Sequence, residues 1–199
     1  MNARTPKNKS ATRAPVLANR LRIIGGRWRG VPIKFPPIAS IRPSPDRVRE
    51  TLFNWLQQVV VDARCLDLFA GSGALGIEAL SRGASHVTFV DAEPQITQHL
   101  RQTLEHLRAS SFDVFATDAI KFLKGPPQPF DLVFIDPPYA SNLLQQACEH
   151  IASGWLAKKA WIYLECPADQ ALPALPPSWS LYRSKRAGQV GYHLVQAIS

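Results

Sequence analysis

Residues Leu66 to Leu80 read LDLFAGSGALGIEAL, and this stretch decides the fold. The run from Cys65 to Phe69 is short and apolar, as a buried parallel strand requires. Gly71-Ser72-Gly73 breaks it, and Ala74 to Leu80 resumes with apolar spacing suited to a helix. Strand, tight turn and helix make half of a nucleotide-binding unit, and ligands of open α/β sheets bind at the strands' carboxyl edge. Gly71, Gly73 and Gly76 match GxGxxG, a pattern shared by dinucleotide and methyl-donor sites because both bring backbone close to ligand.

Two carboxylates separate those readings. Asp67 stands inside the strand end just before the turn, where a pyrophosphate is repelled and the ammonium of an S-adenosylmethionine methionyl group is attracted. A carboxylate capping the turn is the structural alternative. Asp91 ends the next apolar run, VTFVD, where a ribose diol needs an acceptor with two oxygens.

The second decisive stretch is FDLVFIDPPY, Phe130 to Tyr139. Leu132 to Ile135 form a strand, and Pro137-Pro138 must end it because neither residue donates a ladder hydrogen bond. The corner is stiff, its carbonyls are acceptors, and a carboxylate and an aromatic ring flank it. Such a set suits the exocyclic amine of a flat base: acceptors take the two N–H bonds while the ring stacks on the base face. A plain strand stop with a half-buried tyrosine is the bland alternative.

The chain has 199 residues and is 46% hydrophobic, enough for one well-cored domain with a small appendage. It has no apolar run of about 18 residues, so no transmembrane helix is expected. Cys65, Cys148 and Cys166 lie far apart without a CxxC pair, which suits free thiols in a reducing cytoplasm. The histidines lack metal-ligand spacing, so no metal is expected. Charge is concentrated at the front: residues 1–50 hold twelve of the 23 Lys and Arg but only Asp46 and Glu50 of the 15 acidic residues. A near-neutral body with a basic front end is the footprint of a polyanion binder.

Residues 1–19 read as a disordered basic tail without the apolar segment of a secretory signal. LRIIGG and WRGVPIKF read as two strands about Gly25-Gly26, carrying Arg22, Arg27, Arg29 and Lys34. Arginine beside Trp28 suits phosphate clamping and base stacking. In IRPSPDRVRETLFNWLQQVV, Ser44 suits a helix cap, Pro45 the first helical position and Asp46 the positive helix end. Val48, Leu52, Trp55, Leu56 and Val59 share a face, and Arg47 and Arg49 lie off that stripe, free for ligand or RNA. Further on, a helix is expected over 93–108 and a strand over 111–116. Asp118 follows at a carboxyl edge, placed to accept an adenine amino group with the Ala119 N–H beside it, or else to cap the short helix through Leu123. A helix over 143–151, a strand over 161–166 and an antiparallel hairpin of 179–185 and 190–197 about Gly188 complete the chain.

With these stretches in view, the sequence resembles the RsmD family of bacterial methyltransferases, which modify the N2 amine of one guanine in small-subunit ribosomal RNA. RIIGGRWRG, RPSPDRVRETLFNWL, LDLFAGSGALGIEALSRGA, DPPY and GQVGYHL carry the resemblance, which covers nearly everything from Arg22 onward. It implies an α/β, class I S-adenosylmethionine-dependent methyltransferase: a Rossmann-like, seven-stranded sheet with an antiparallel terminal hairpin, extended by a small basic N-terminal hairpin and helix. The implied organisation is a tail over 1–19, the basic extension over 20–60 and the methyltransferase domain over 61–199. The donor motif falls on Asp67, Phe69, Ala70, Gly71, Ser72 and Gly73. The ribose acid falls on Asp91 with Ala92 beside it, and the adenine side on Asp118 and Ala119. The catalytic tetrad falls on Asp136, Pro137, Pro138 and Tyr139. The family often has Glu for the ribose where this chain has the shorter Asp91.

The expected RNA contacts are Arg22, Arg27, Arg29, Arg42, Arg47 and Arg49. The expected partner is 16S ribosomal RNA within a 30S subunit or assembly intermediate, met by a cytoplasmic monomer. A DNA adenine methyltransferase shares the glycine turn and DPPY, but reading a DNA sequence usually takes an added recognition domain, and little chain follows Tyr139. A non-catalytic RNA-binding module on the same fold is the rival from another class. A nicotinamide-dependent dehydrogenase leaves DPPY without a role.

Overall fold

Near-continuous apolar runs in the central strands require a layer on both sides of the sheet, and the elements supply them. The computed structural model describes residues 19–35, 44–138 and 142–198. In chain order these form β1 (Asn19–Arg22), β2 (Pro32–Phe35), α1 (Asp46–Trp55), β3 (Arg64–Asp67), α2 (Ala74–Ser81), β4 (His86–Asp91) and α3 (Pro94–His106). There follow β5 (Phe112–Ala116), α4 (Ala119–Leu123), β6 (Phe130–Ile135), α5 (Leu143–Ile151), β7 (Leu156–Pro167), β8 (Trp179–Ala187) and β9 (Val190–Ile198). The expected tail over 1–19 falls, but for Asn19, outside the described residues.

Seven strands form one sheet in the order β5-β4-β3-β6-β7-β9-β8. β3 to β7 pair in parallel, while β9 runs antiparallel to β7 and β8 antiparallel to β9. This is the expected mixed sheet with an antiparallel terminal hairpin. The chain order reverses direction at β3, with β4 on one side and β6 on the other, and such a switch point opens a crevice at the carboxyl edge. Among the described residues, no helix is long and apolar enough to cross a membrane.

Alternation sorts the core into two layers. Cys65, Phe89, Leu132, Phe134 and Tyr163 face the layer of α1, α2, α3 and the β1–β2 hairpin. Leu66, Val90, Val133, Ile135 and Leu164 face α4 and α5. Side chains from the basic extension, among them Leu21, Ile23, Ile33, Phe35, Val48 and Leu52, share the first core with the sheet.

The N-terminal hairpin is shorter than its apolar pattern suggests, because α2 takes the backbone groups a longer ladder would use. The N–H groups of Ile24 and Gly25 donate to the Glu78 carboxylate at 2.9 and 2.8 Å. The Arg27 N–H donates to the Ser81 carbonyl at 2.8 Å. At Gly26, with φ +75°, a Cβ would sit 1.8 Å from that carbonyl oxygen, so only glycine allows the loop to lie this close to α2. The expectation for Ser44 is also corrected. Pro45 occupies the position before α1 without any side-chain cap, and the Ser44 hydroxyl donates instead to Glu165, 3.3 Å away.

Candidate active site

Four acidic residues stand at or just beyond the carboxyl ends of four neighbouring strands: Asp91 on β4, Asp67 on β3, Asp136 after β6 and Glu165 on β7. Parallel pairing brings them together, because every strand from β4 to β7 ends on the same edge.

Asp67 is buried, and its Oδ2 accepts the Gly76 N–H at 2.9 Å. Burial raises its carboxyl to about 7; the Gly76 N–H pulls it down and the charge of Asp91 pushes it up. Any side chain at Gly76 would meet the Phe89 ring at 2.2 Å, so the bare backbone lets α2 settle against β4 and reach Asp67. Gly73 closes the turn at φ +76°, its N–H donating to the Ala70 carbonyl at 2.7 Å. Ala70 and Ser72 are buried and Phe69 is half-buried.

Asp91 fastens the turn to β4. Its Oδ2 accepts the Gly71 N–H and its Oδ1 the Glu93 N–H, both at 2.9 Å. Each oxygen carries a second lone pair, so a diol can still be received there. Ala92 beside it is exposed. Asp118 is exposed and caps α4, Oδ1 accepting the Lys121 N–H at 2.8 Å, and Ala119 is buried behind it. The capping alternative is thus realised, and the remaining carboxylate oxygen lies on the same edge as the Thr117 N–H bonded to the Asp91 carbonyl.

Asp136 is half-buried, Pro137 buried and Pro138 exposed. The Glu165 carboxyl and the Ser44 hydroxyl lie beside the Asp136 carboxyl, near enough to bear on its ionisation. Its ionisation is held well above the usual carboxylate range, first by burial, then by the charges of Glu165 and Asp67. Tyr139 and Arg42 lie outside the described residues.

Glu165 is the residue that sequence reasoning missed. It is buried, and Oε2 accepts the Tyr163 hydroxyl at 2.7 Å and the Ser44 hydroxyl at 3.3 Å. The available signal was an acid at the end of the apolar run WIYLEC, where burial of a charge needs a reason.

The basic residues divide. Arg22, Arg27, Arg29 and Arg47 are exposed, and the Arg27 guanidinium lies 4.0 Å from the centre of the Trp28 ring. Arg49, expected to be open to RNA, is fully buried: Nη1 meets Glu78 at 3.3 Å, and Nη2 meets Asp46 at 2.6 Å and the Arg22 carbonyl at 2.8 Å. The hairpin covers the side of α1 that the single apolar stripe left to solvent.

A row of carboxyls along the switch-point edge attracts a cationic ligand and repels a pyrophosphate, which removes the dinucleotide reading of the glycine turn. Sheet order, terminal hairpin and acid-lined edge together define a class I, Rossmann-like methyltransferase. The family model described as Conserved hypothetical protein 95 matches residues 21–196. Over 180 residues the chain is 47% identical to Ribosomal RNA small subunit methyltransferase D of Escherichia coli strain K12, covering 90% of this chain and 91% of the relative. It is 42% identical over 187 residues to the Haemophilus influenzae protein of the same name, covering 92% and 96%. A solved putative methyltransferase of Escherichia coli superimposes with a TM-score of 0.85 at 46% identity, over 90% of this chain and 99% of that one. The chain belongs to this family, the RsmD family of methyltransferases.

Proposed function

We propose that the chain transfers a methyl group from S-adenosylmethionine to the exocyclic N2 of a guanine in 16S ribosomal RNA, met in a 30S subunit or an assembly intermediate. The observation that carries this reading is the meeting of Asp67 and Asp136 at adjacent strand ends, close enough for the Asp67 charge to raise the cost of ionising Asp136. One carboxyl suits a cationic donor and the other an amine. The relatives' names supply the RNA.

The residues present fit such a donor. The glycine turn gives bare backbone, Asp67 faces the edge with a buried acid matched to an ammonium, and Asp91 offers lone pairs to a ribose. Bound there, the donor supplies an electrophilic methyl group on a sulfonium whose leaving group is a neutral thioether. The guanine amine is a poor nucleophile because its lone pair is delocalised into the ring. Asp136 and the Pro137 carbonyl accept its two hydrogens and hold the nitrogen in line, and Tyr139 fixes the base plane. Alignment of this kind supplies up to about 7 to 11 kcal/mol. Arg22, Arg27, Arg29 and Arg47 hold phosphates, with Arg42 assigned to the same task from sequence.

Mass mapping of ribosomal RNA from a strain lacking the chain tests the reading. One methyl group missing from a single small-subunit guanine, and restored by adding the chain and donor to particles from that strain, is the expected result. Transfer to a duplex oligonucleotide in preference to those particles, or no consumption of labelled donor at any assembly stage, overturns it.

A further inference from the structure

Ile135 on β6 pairs with Leu164 on β7, so the next residues, Asp136 and Glu165, leave the sheet edge side by side on the α1 face. Two carboxylates set side by side in so enclosed a site cannot both stay charged without a large cost, which a proton held between them removes. Glu165 Oε2 also receives the hydroxyls of Tyr163, two residues back on β7, and Ser44, ahead of α1. Both hydroxyls hold the Glu165 carboxyl in position beside Asp136. Among the described residues, the other ionisable groups around the pair are Asp67 on β3, Tyr163 on β7 and Tyr192, opposite Glu165 on β9. Arg49, the nearest buried cation on α1, is engaged by Glu78 and Asp46.

We propose that Asp136 and Glu165 share a single proton, and that Glu165 is a positioning residue which takes that proton when the amine of the target base donates to Asp136. The inference rests on the methyl-transfer reading above for its use, though not for its existence. In the free chain the proton lies on the Asp136 side, consistent with the raised ionisation of that group. Arrival of an N–H donor makes Asp136 the better acceptor, and the proton moves across to Glu165. As the new nitrogen–carbon bond forms, the carbon–sulfur bond breaks and its electron pair stays on the thioether. The amine then releases one proton to Asp136. The pair ends neutral with two protons, and loss of one to water restores the starting state. The sulfonium charge and the single negative charge of the pair cancel in the products, so the step balances without a further base. Ser44 links this pair to the basic extension through its hydroxyl, a role separate from helix capping.

The test is a carboxyl-carbon NMR titration of the full chain, labelled at Asp and Glu and free of donor. In the unaltered chain Asp136 is expected to titrate above the ordinary carboxylate range, with the Glu165 resonance moving over the same interval. Glu165→Gln removes the neighbouring charge and should lower the Asp136 midpoint. Tyr163→Phe removes a donor from Glu165, which should draw the shared proton toward Glu165 and lower the Asp136 midpoint as well; it decides the matter if Glu165→Gln does not fold. An Asp136 midpoint left in place by these changes overturns the proposal. Single-turnover pH–rate profiles follow, in which the acid limb should move in the direction of the NMR midpoint for each variant. An unmoved limb overturns the part played in transfer, since a merely structural role lowers the rate without shifting its pH dependence. If the unaltered chain transfers no methyl group, the functional reading falls while the titration still decides the shared proton.

Discussion

Arg49 Nη1 lies 3.3 Å from Glu78 Oε2, and neither side chain reaches solvent. Glu78 holds more than this one cation: Arg82 Nε is 2.7 Å away, and the Ile24 and Gly25 N–H groups complete its shell. Glu78→Ala would take one of two carboxylates from a buried guanidinium and leave two backbone donors unpaired, and should cost about 3–5 kcal/mol. Arg49→Met leaves Glu78 with three donors and should cost less, about 1–3 kcal/mol. Urea midpoints at unchanged slope measure both. The reverse order would show that the acid is not the hub of the cluster.

The raised ionisation of Asp67, about 7, sets a pH dependence whose sign can be worked out. Protonation is favoured by the folded protein relative to the unfolded chain, so this group's contribution to stability is present below the ordinary carboxylate range and is lost as pH rises through about 7. A cationic donor has the opposite preference and needs the charged form. Donor affinity should therefore fall as pH drops below about 7, approaching tenfold per pH unit. Calorimetric titrations between about pH 6 and pH 8 check this, and Asp67→Asn should bind weakly with a flat profile. A flat profile in the unaltered chain would remove Asp67 from the donor site.

Asp136→Ala removes an acceptor from the proposed amine site while leaving the glycine turn intact. Single-turnover methylation of small-subunit particles should drop by ~100-fold or more. Donor affinity should change little. A near-normal rate with donor bound would end the assignment of this residue.

Arg27 and Arg29 are exposed on the hairpin loop, whereas Arg49 is inside. Arg27→Glu with Arg29→Glu should weaken binding to ribosomal RNA and reduce its salt dependence by about one unit of slope per lost phosphate contact. Filter binding across a salt series reads this out, with donor affinity as the control. An unchanged slope would move the RNA surface elsewhere.

Much of this architecture was legible in the chain. Asp67 and Asp136 end apolar runs, one before glycines and one before two prolines, and either signal alone stops a strand at its carboxyl edge. Four parallel strands then have to bring those ends together. Ser44 and Glu165 were not legible, because their contact joins positions 121 residues apart and depends on β7 lying beside β6 under α1. Ser44 carried a strong local signal for capping, but Pro45 takes the position before α1 and the Ser44 hydroxyl is left to donate to a tertiary acceptor. Arg49 failed for a related reason. A single apolar stripe describes a helix covered on one side, but the hairpin covers α1 on a second side, burying Arg49 against the Arg22 carbonyl.

Helix α2 begins in the glycine turn, holds the hairpin through Glu78 at its middle and bonds Ser81 to the Gly25 carbonyl and the Trp28 N–H at its end. One rigid rod thus spans the distance from the exposed guanidiniums of Arg27 and Arg29 to the acid-lined crevice. If those cations grip the RNA as proposed, they would work as a caliper of constant opening, whose jaw cannot slide without first undoing bonds in the protein interior. Selection among many similar bases would then be a matter of which one falls at the set distance from a fixed grip on the strand.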